Sequence, residues 1–205
     1  YIKQHWADVE RQVQRCCQSI TREASMKKGA NLIRLFSIAL VGITLSACTS
    51  VSVEDYAANK PQIVAEEFFN GKLLAHGILK DRGGKVIRYF SASIDASWRD
   101  GIGTLDERFV FDDGERQTRV WTLKPGVDNT YVASAGDVIG EGKMKVAGNS
   151  VFLDYVLRVP YNGDSIDLRI DDRMYLVSER VLLNESIMTK WGFEVGSIML
   201  VIEKQ

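Results

Sequence analysis

Val151-Phe152-Leu153-Asp154-Tyr155-Val156-Leu157-Arg158-Val159 is the stretch whose pattern decides the fold. Its odd positions, Val151, Leu153, Tyr155, Leu157 and Val159, are all apolar. Its even positions, Phe152, Asp154, Val156 and Arg158, are mixed. Alternate side chains of an extended chain point to opposite faces, so this reads as a strand with one buried face. Gly148-Asn149 precedes it and Asn162-Gly163-Asp164 follows it. These residue types accept the positive φ of tight hairpins. The same pattern recurs outward. Leu105, Glu107, Phe109 and Phe111 alternate with Asp106, Arg108, Val110 and Asp112, and Ile198 to Ile202 is apolar on both faces.

About ten such runs begin near Lys72, Lys85, Thr104, Glu115, Thr130, Gly142, Ser150, Ser165, Val181 and Phe193. Between them lie Asp81-Arg82-Gly83-Gly84, Asp100-Gly101, Asp112-Asp113-Gly114, Pro125-Gly126 and Ser178-Glu179. The 135 residues from 70 to 204 leave about 13 for each strand and its turn. A parallel crossover alone takes roughly 10–12 residues. Neighbouring strands must therefore pair as antiparallel hairpins. About ten antiparallel strands with no helices between them must close to hide their edges. The expected fold is all-β, an antiparallel up-and-down barrel. Pro61 to Phe69 reads as a short helical turn or two, ended by Asn70-Gly71.

The N-terminal part is of a different kind. Met26 is followed by Lys27, Lys28 and Arg34, then by an apolar run of 13 residues, Leu35 to Ala47. A membrane span needs roughly 20 apolar residues and a signal h-region about 7–15, so the run fits a signal peptide. It ends in Leu45-Ser46-Ala47-Cys48, which resembles the lipobox of bacterial lipoproteins. In that class the chain is cut before the cysteine and the thiol is acylated. The expected organisation is a spurious upstream stretch over 1–25, a signal peptide over 26–47, a small polar tether over 48–61 and the barrel over 62–205. The competing reading of 26–47 is a buried helix with an incidental cysteine.

Composition then bounds the chemistry. Residues 1–47 hold 7 of the 26 basic and 3 of the 27 acidic residues, which leaves 19 against 24, net −5, in 48–205. That is no footprint for nucleic acid. Cys16 and Cys17 lie upstream and Cys48 would carry lipid, so no thiol remains for a disulfide or a nucleophile. His76 is the single histidine of 48–205. A zinc site of several His and Cys is excluded there, and no metal or cofactor is expected.

Over residues 55–204 the chain resembles an uncharacterised bacterial lipoprotein group, domain-of-unknown-function family 3833. The matching words are Phe68-Phe69-Asn70-Gly71, Asp112-Asp113-Gly114-Glu115-Arg116-Gln117 with Arg119-Val120-Trp121, and Ala147-Gly148-Asn149. Asp171-Asp172 with Met174-Tyr175-Leu176, Val181-Leu182-Leu183-Asn184 and Lys190-Trp191-Gly192 complete the set. The resemblance implies a Gram-negative envelope lipoprotein with a lipocalin-like, calycin-type barrel. It implies no reaction.

Candidate ligand-binding residues follow from face and chemistry. Arg119 and Trp121 lie two apart and share a face. An inward Arg can grip a carboxylate or phosphate through its fork while Trp covers an apolar tail. The structural alternative is an Arg stacked on Trp that closes one barrel end. Asp172 and Tyr175 offer an acid and a phenol, with local charge pairing at a strand end as the alternative. Arg88 is a further strand-borne cation, and Tyr155 is a core residue or a ligand contact. Asp112-Asp113-Gly114-Glu115 lacks the alternating ligands of a calcium loop and reads as a hairpin turn. His76 reads as structural rather than as an acid–base catalyst.

The favoured function is a lipid-anchored barrel that binds a fatty acid, phospholipid or similar amphiphile. The first alternative is a solid-cored structural or interaction protein of the outer membrane. The second is a lipid-acting enzyme with Asp172, Tyr175 and His76 or Arg119 in one cavity. In Gram-negative lipoproteins an Asp after the cysteine commonly signals inner-membrane retention; Thr49 stands there instead, so the resemblance implies the periplasmic face of the outer membrane.

Overall fold

The computed structural model describes residues 50–161 and 163–205. Cys48, the signal peptide over 26–47 and the upstream stretch over 1–25 lie outside the described residues. Residues 51–205 form one compact unit, which contains the barrel.

Ten strands make up the barrel: β1 (Gly71–Asp81), β2 (Val86–Arg99), β3 (Ile102–Phe111), β4 (Arg116–Pro125), β5 (Thr130–Ser134), β6 (Gly142–Ala147), β7 (Ser150–Tyr161), β8 (Asp164–Ser178), β9 (Val181–Lys190) and β10 (Phe193–Lys204). Each starts within two residues of its expected position. Every strand pairs antiparallel with its neighbours in sequence, and β1 pairs with β10 to close the sheet. The fold is the all-β up-and-down barrel that the turn spacing demands. Closure leaves no exposed edge.

Alternation sorts the side chains. The odd positions of β7 and the even positions of β8 and β9 point inward: Val151, Leu153 and Tyr155 on β7, Leu168, Ile170 and Leu176 on β8, Leu182 and Met188 on β9 are buried. The outer face of β7 and β8 carries ion pairs instead, Arg158 to Asp167 at 2.8 Å and Arg169 to Asp154. Two glycines let the wall bend. Phe90 lies over Gly77 and Trp98 over Gly103, where a Cβ would meet the rings at 2.3 and 2.8 Å.

One end is plugged. Within the expected tether, Val53–Tyr56 form a 3-10 turn with Val53 buried, and Tyr56 packs on Phe152 and Tyr175 at 5.9 and 5.3 Å between ring centroids. The chain is thus tied to the barrel from residue 53, earlier than its small polar composition suggests. The buried valine and the tyrosine ring supply the apolar contact. Helix α1 (Ala65–Phe68) follows, a single turn where one or two were expected. Ile63, Phe68 and Phe69 are buried in the core. Trp98 Nε1 donates to the Phe69 carbonyl at 2.8 Å, and the Tyr131 hydroxyl donates to Glu66 at 2.6 Å. These bonds hold the plug as a floor. The opposite end is ringed by the β1–β2, β3–β4, β5–β6, β7–β8 and β9–β10 connections and has no such plug among the described residues.

The wall has one irregular sector. β5 and β6 are short, while β7 runs on for 12 residues. The connection 135–141 fills the gap: Val138 bridges Leu157, and the Arg158 amide donates to the Asp137 carbonyl at 2.8 Å. This places Asp137 over the upper rim.

Candidate functional site

Inside the barrel is a partly open cavity of about 140 Å³. Its floor includes Phe69, and most of its wall is apolar, from Ala75, Ile94, Leu105, Leu153, Ile198 and Leu200 among others. A belt of polar side chains crosses this apolar space: Glu107 (β3), Arg119 (β4), Asp172 (β8), Asn184 and Ser186 (β9), with the Tyr155 ring on β7. The solid-cored alternative does not describe this interior.

Register builds the belt. Glu107 faces Arg119 across β3–β4, and Asp172 faces Ser186 across β8–β9. Leu105 faces Trp121 one step nearer the floor. Trp121 packs edge-on against Tyr155 at 5.1 Å, and both are buried. Ser186 donates to Asn184 Oδ1 at 3.0 Å.

Arg119 is already engaged. Its Nε and terminal nitrogen reach both oxygens of Asp137 at 2.8–3.1 Å. Its guanidinium stands 5.7 Å above the Trp121 ring and 5.9 Å from that of Phe109. Burial opposes its charge, but the Asp137 bonds and the other acidic groups around it outweigh this and hold its pKa above the ordinary guanidinium value. Asp137 sits in a connection rather than a strand, and no sequence pattern marked it.

The two acids inside the barrel behave differently from surface carboxylates. Burial pushes Glu107 up to about 7, against the pull of Arg119, and nearby Asp172 adds to the rise. Burial pushes Asp172 up to about 6, while the hydroxyls of Ser186 and Tyr155 beside it hold it down. The same burial, together with Asp172, lifts the Tyr155 phenol well above its usual value. Low dielectric favours the neutral form of each acid. Carboxyls that change charge near neutral pH inside a cavity are a hallmark of functional sites.

Of the expected ligand residues, Arg119, Trp121, Tyr155 and Asp172 come together here. Tyr175 does not. It lies three positions from Asp172 and therefore points outward, packed on Tyr56 and Phe152. His76 is also on the outer face and exposed. The acid–base set Asp172, Tyr175 and His76 is thus divided by the barrel wall. Arg88 sits at the rim, 3.8 Å above the Phe111 ring, and its terminal nitrogen contacts Asp113 at 2.8 Å and Glu115 at 2.9 Å. The Asp112–Glu115 hairpin is a turn, as expected, and two of its acids hold this arginine. Glu107 and Asn184 were missed as site residues. Each is a polar residue in the inward phase of an otherwise apolar alternation. Among the described residues no group of three metal-ligating side chains occurs.

A family model described as a protein of unknown function (DUF3833) matches residues 42–204. No curated protein matches the chain. Among solved structures, the barrel is similar to the S-type phycobiliprotein lyase CPES from Guillardia theta. The TM-score is 0.52 and the identity 11%, over 70% of this chain and 93% of that one. A redesigned β-barrel, mFAP1, bound to DFHBI also matches, with TM-score 0.38 and 11% identity over 68% of this chain and 98% of that one. At these identities the likeness is one of fold.

Proposed function

From the premise that the chain belongs to the DUF3833 family of proteins of unknown function, we propose that its barrel binds one small hydrophobic or amphipathic ligand, such as a fatty acid or lipid fragment, in a lipid-anchored protein of the cell envelope. The observation that carries the ligand reading is the cavity: an apolar space crossed by a belt of polar groups suits a molecule with an apolar body and one polar end. Arg119, the expected carboxylate grip, is already met by Asp137, and the further cation Arg88 by Asp113 and Glu115. The proposal therefore rests on the apolar body of the ligand more than on a fatty-acid head group. Native mass spectrometry after mild extraction tests it. The expected result is a co-purified small molecule or uptake of a small apolar fluorophore. A bare mass together with no uptake overturns the reading.

The anchor rests on Leu45-Ser46-Ala47-Cys48 and the basic, apolar stretch before it. Cys48→Ala abolishes palmitate labelling and leaves an unprocessed precursor, and continued labelling sinks the lipoprotein reading. Thr49 after the cysteine supports placement on the periplasmic face of the outer membrane. A second reading, a surface that engages another envelope protein, is favoured by one observation. Tyr89, Ile78 and Met199 are cross-strand neighbours on the outer face of β2, β1 and β10, and Tyr89 and Met199 are 58% and 50% exposed.

A further inference from the structure

We infer that the guest of this cavity is a small amine: a protonated nitrogen on an apolar body about the size of one aromatic ring. The inference rests on the cavity being a ligand site and names the chemistry of its ligand. Three observations carry it.

The first is charge. Glu107 from β3 and Asp172 from β8 both point into the cavity, and Asp172 is 8% exposed. The one guanidinium lining the same cavity, Arg119, is held on two prongs by Asp137. Three carboxyls thus face one cation, and a fully charged interior carries a surplus of negative charge. The walls from β1, β2 and β10 add Ala75, Ile94, Ile198 and Leu200, which carry none. Arg88, farther up β2, is neutralised at the rim by Asp113 and Glu115. Asp171 lies behind Asp172 on the outer face, where it pairs with Arg173. A buried charge is costly unless paired, so an incoming cation relieves what the fold leaves unmatched.

The second is unused hydrogen-bonding capacity. Asn184 is 4% exposed and lines the cavity, and its Oδ1 accepts once, from Ser186, which leaves the second lone pair of that oxygen for a guest donor. A protonated amine only donates, so an acceptor oxygen with capacity to spare beside the carboxyls is the kind of group it needs. The Asp172 carboxyl lies one strand away, opposite Ser186.

The third is size. The cavity measures about 140 Å³. An engineered apolar cavity of about 150 Å³ takes up benzene. A single ring with a short aminoalkyl arm matches that space.

Protonation couples to this binding. Glu107 and Asp172 change charge near neutrality, so the cation finds two carboxylates at pH 8 and two neutral acids at pH 5. Arg119 stays charged throughout, and Tyr155 stays neutral. Amine uptake therefore strengthens as pH rises through the range of these acids and displaces protons from them.

The test is calorimetric titration of the full chain with three molecules of one shape: 2-phenylethylamine, 2-phenylethanol and phenylacetate. The expected result at pH 8 is amine binding roughly tenfold or more tighter than the alcohol, with phenylacetate weakest. At pH 5 the amine advantage disappears and alcohol binding persists. Glu107→Gln with Asp172→Asn removes the amine advantage at pH 8 and keeps the alcohol. Should that double variant fail to fold, the pH comparison on the unaltered chain decides by itself. Equal affinities, or phenylacetate tightest, overturn the amine inference while the ligand-binding reading stands. If none of the three binds at either pH, the reading of the cavity as a ligand site falls, and this inference with it.

Discussion

Glu107 sets how the stability of this protein varies with pH. Its pKa is raised from 4.5 to about 7 by burial. For an acid with a raised folded-state pKa, the folded chain holds the proton more tightly than the unfolded chain. Stability is then greatest below the ordinary value and declines as pH rises toward 7. Asp172 acts with the same sign between 3.8 and about 6. Glu107→Gln removes the larger decline: thermal unfolding shows a higher midpoint than the parent at pH 8, by on the order of 2–3 kcal/mol of stability, and no gain at pH 4. Asp137→Asn acts oppositely. It leaves the Arg119 guanidinium with a weaker partner and costs about 2 kcal/mol in denaturant titration at pH 7. These two residues also divide by legibility. A lone acid between Leu105 and Phe109 in an inward-facing phase announces a buried charge, and that signal was present in the sequence. Asp137 carries no such signal, because its position depends on how a connection folds across the gap beside two short strands.

At the scale of single elements, alternation is strict enough to assign faces and strict enough to punish neglect. Residues 172 and 175 differ by an odd number, which alone puts Tyr175 outside. By the same count Arg119 and Trp121 share the inner face, and Glu107 falls opposite Arg119 once the β3–β4 turn is placed. The segment before β1 was harder to read. Its small polar residues look like a tether, yet Val53 and Tyr56 find apolar sites on β6 and β7 that exist only after the barrel closes. The β6–β7 turn depends on Gly148, whose φ is +55°, and a Cβ there would lie 1.9 Å from the Tyr56 carbonyl oxygen. Gly148→Ala therefore dislodges this segment at a cost on the order of 1–3 kcal/mol. Limited proteolysis checks it: cleavage within 51–62 becomes faster, while the strands stay resistant.

Over the whole molecule, the fold was legible because hairpin turns fall at nearly even intervals and leave no room for crossovers. What the interval cannot show is how full the interior is. That depends on side-chain volumes summed across ten strands and on the floor. Phe69 is part of that floor and lines the cavity. Phe69→Ala deepens the cavity and costs about 3–5 kcal/mol in chemical denaturation. The same variant takes up larger apolar dyes than the parent, and unchanged dye uptake would show that the floor does not limit the space.

The strand count has a directional consequence. Ten is even, so an up-and-down barrel returns its last strand to the pole where the first began. The Gln205 amide donates to the Lys72 carbonyl at 2.9 Å, beside the floor. Both ends of the barrel domain thus leave from the plugged pole, and the rim with Arg88 and Asp137 carries only hairpins and one connection. A lipid, a tag or a fused domain joined at either end hangs from the floor and leaves the mouth unobstructed. The rim with Arg88 and Asp137 and the two ends of the domain thus lie at opposite poles of the barrel.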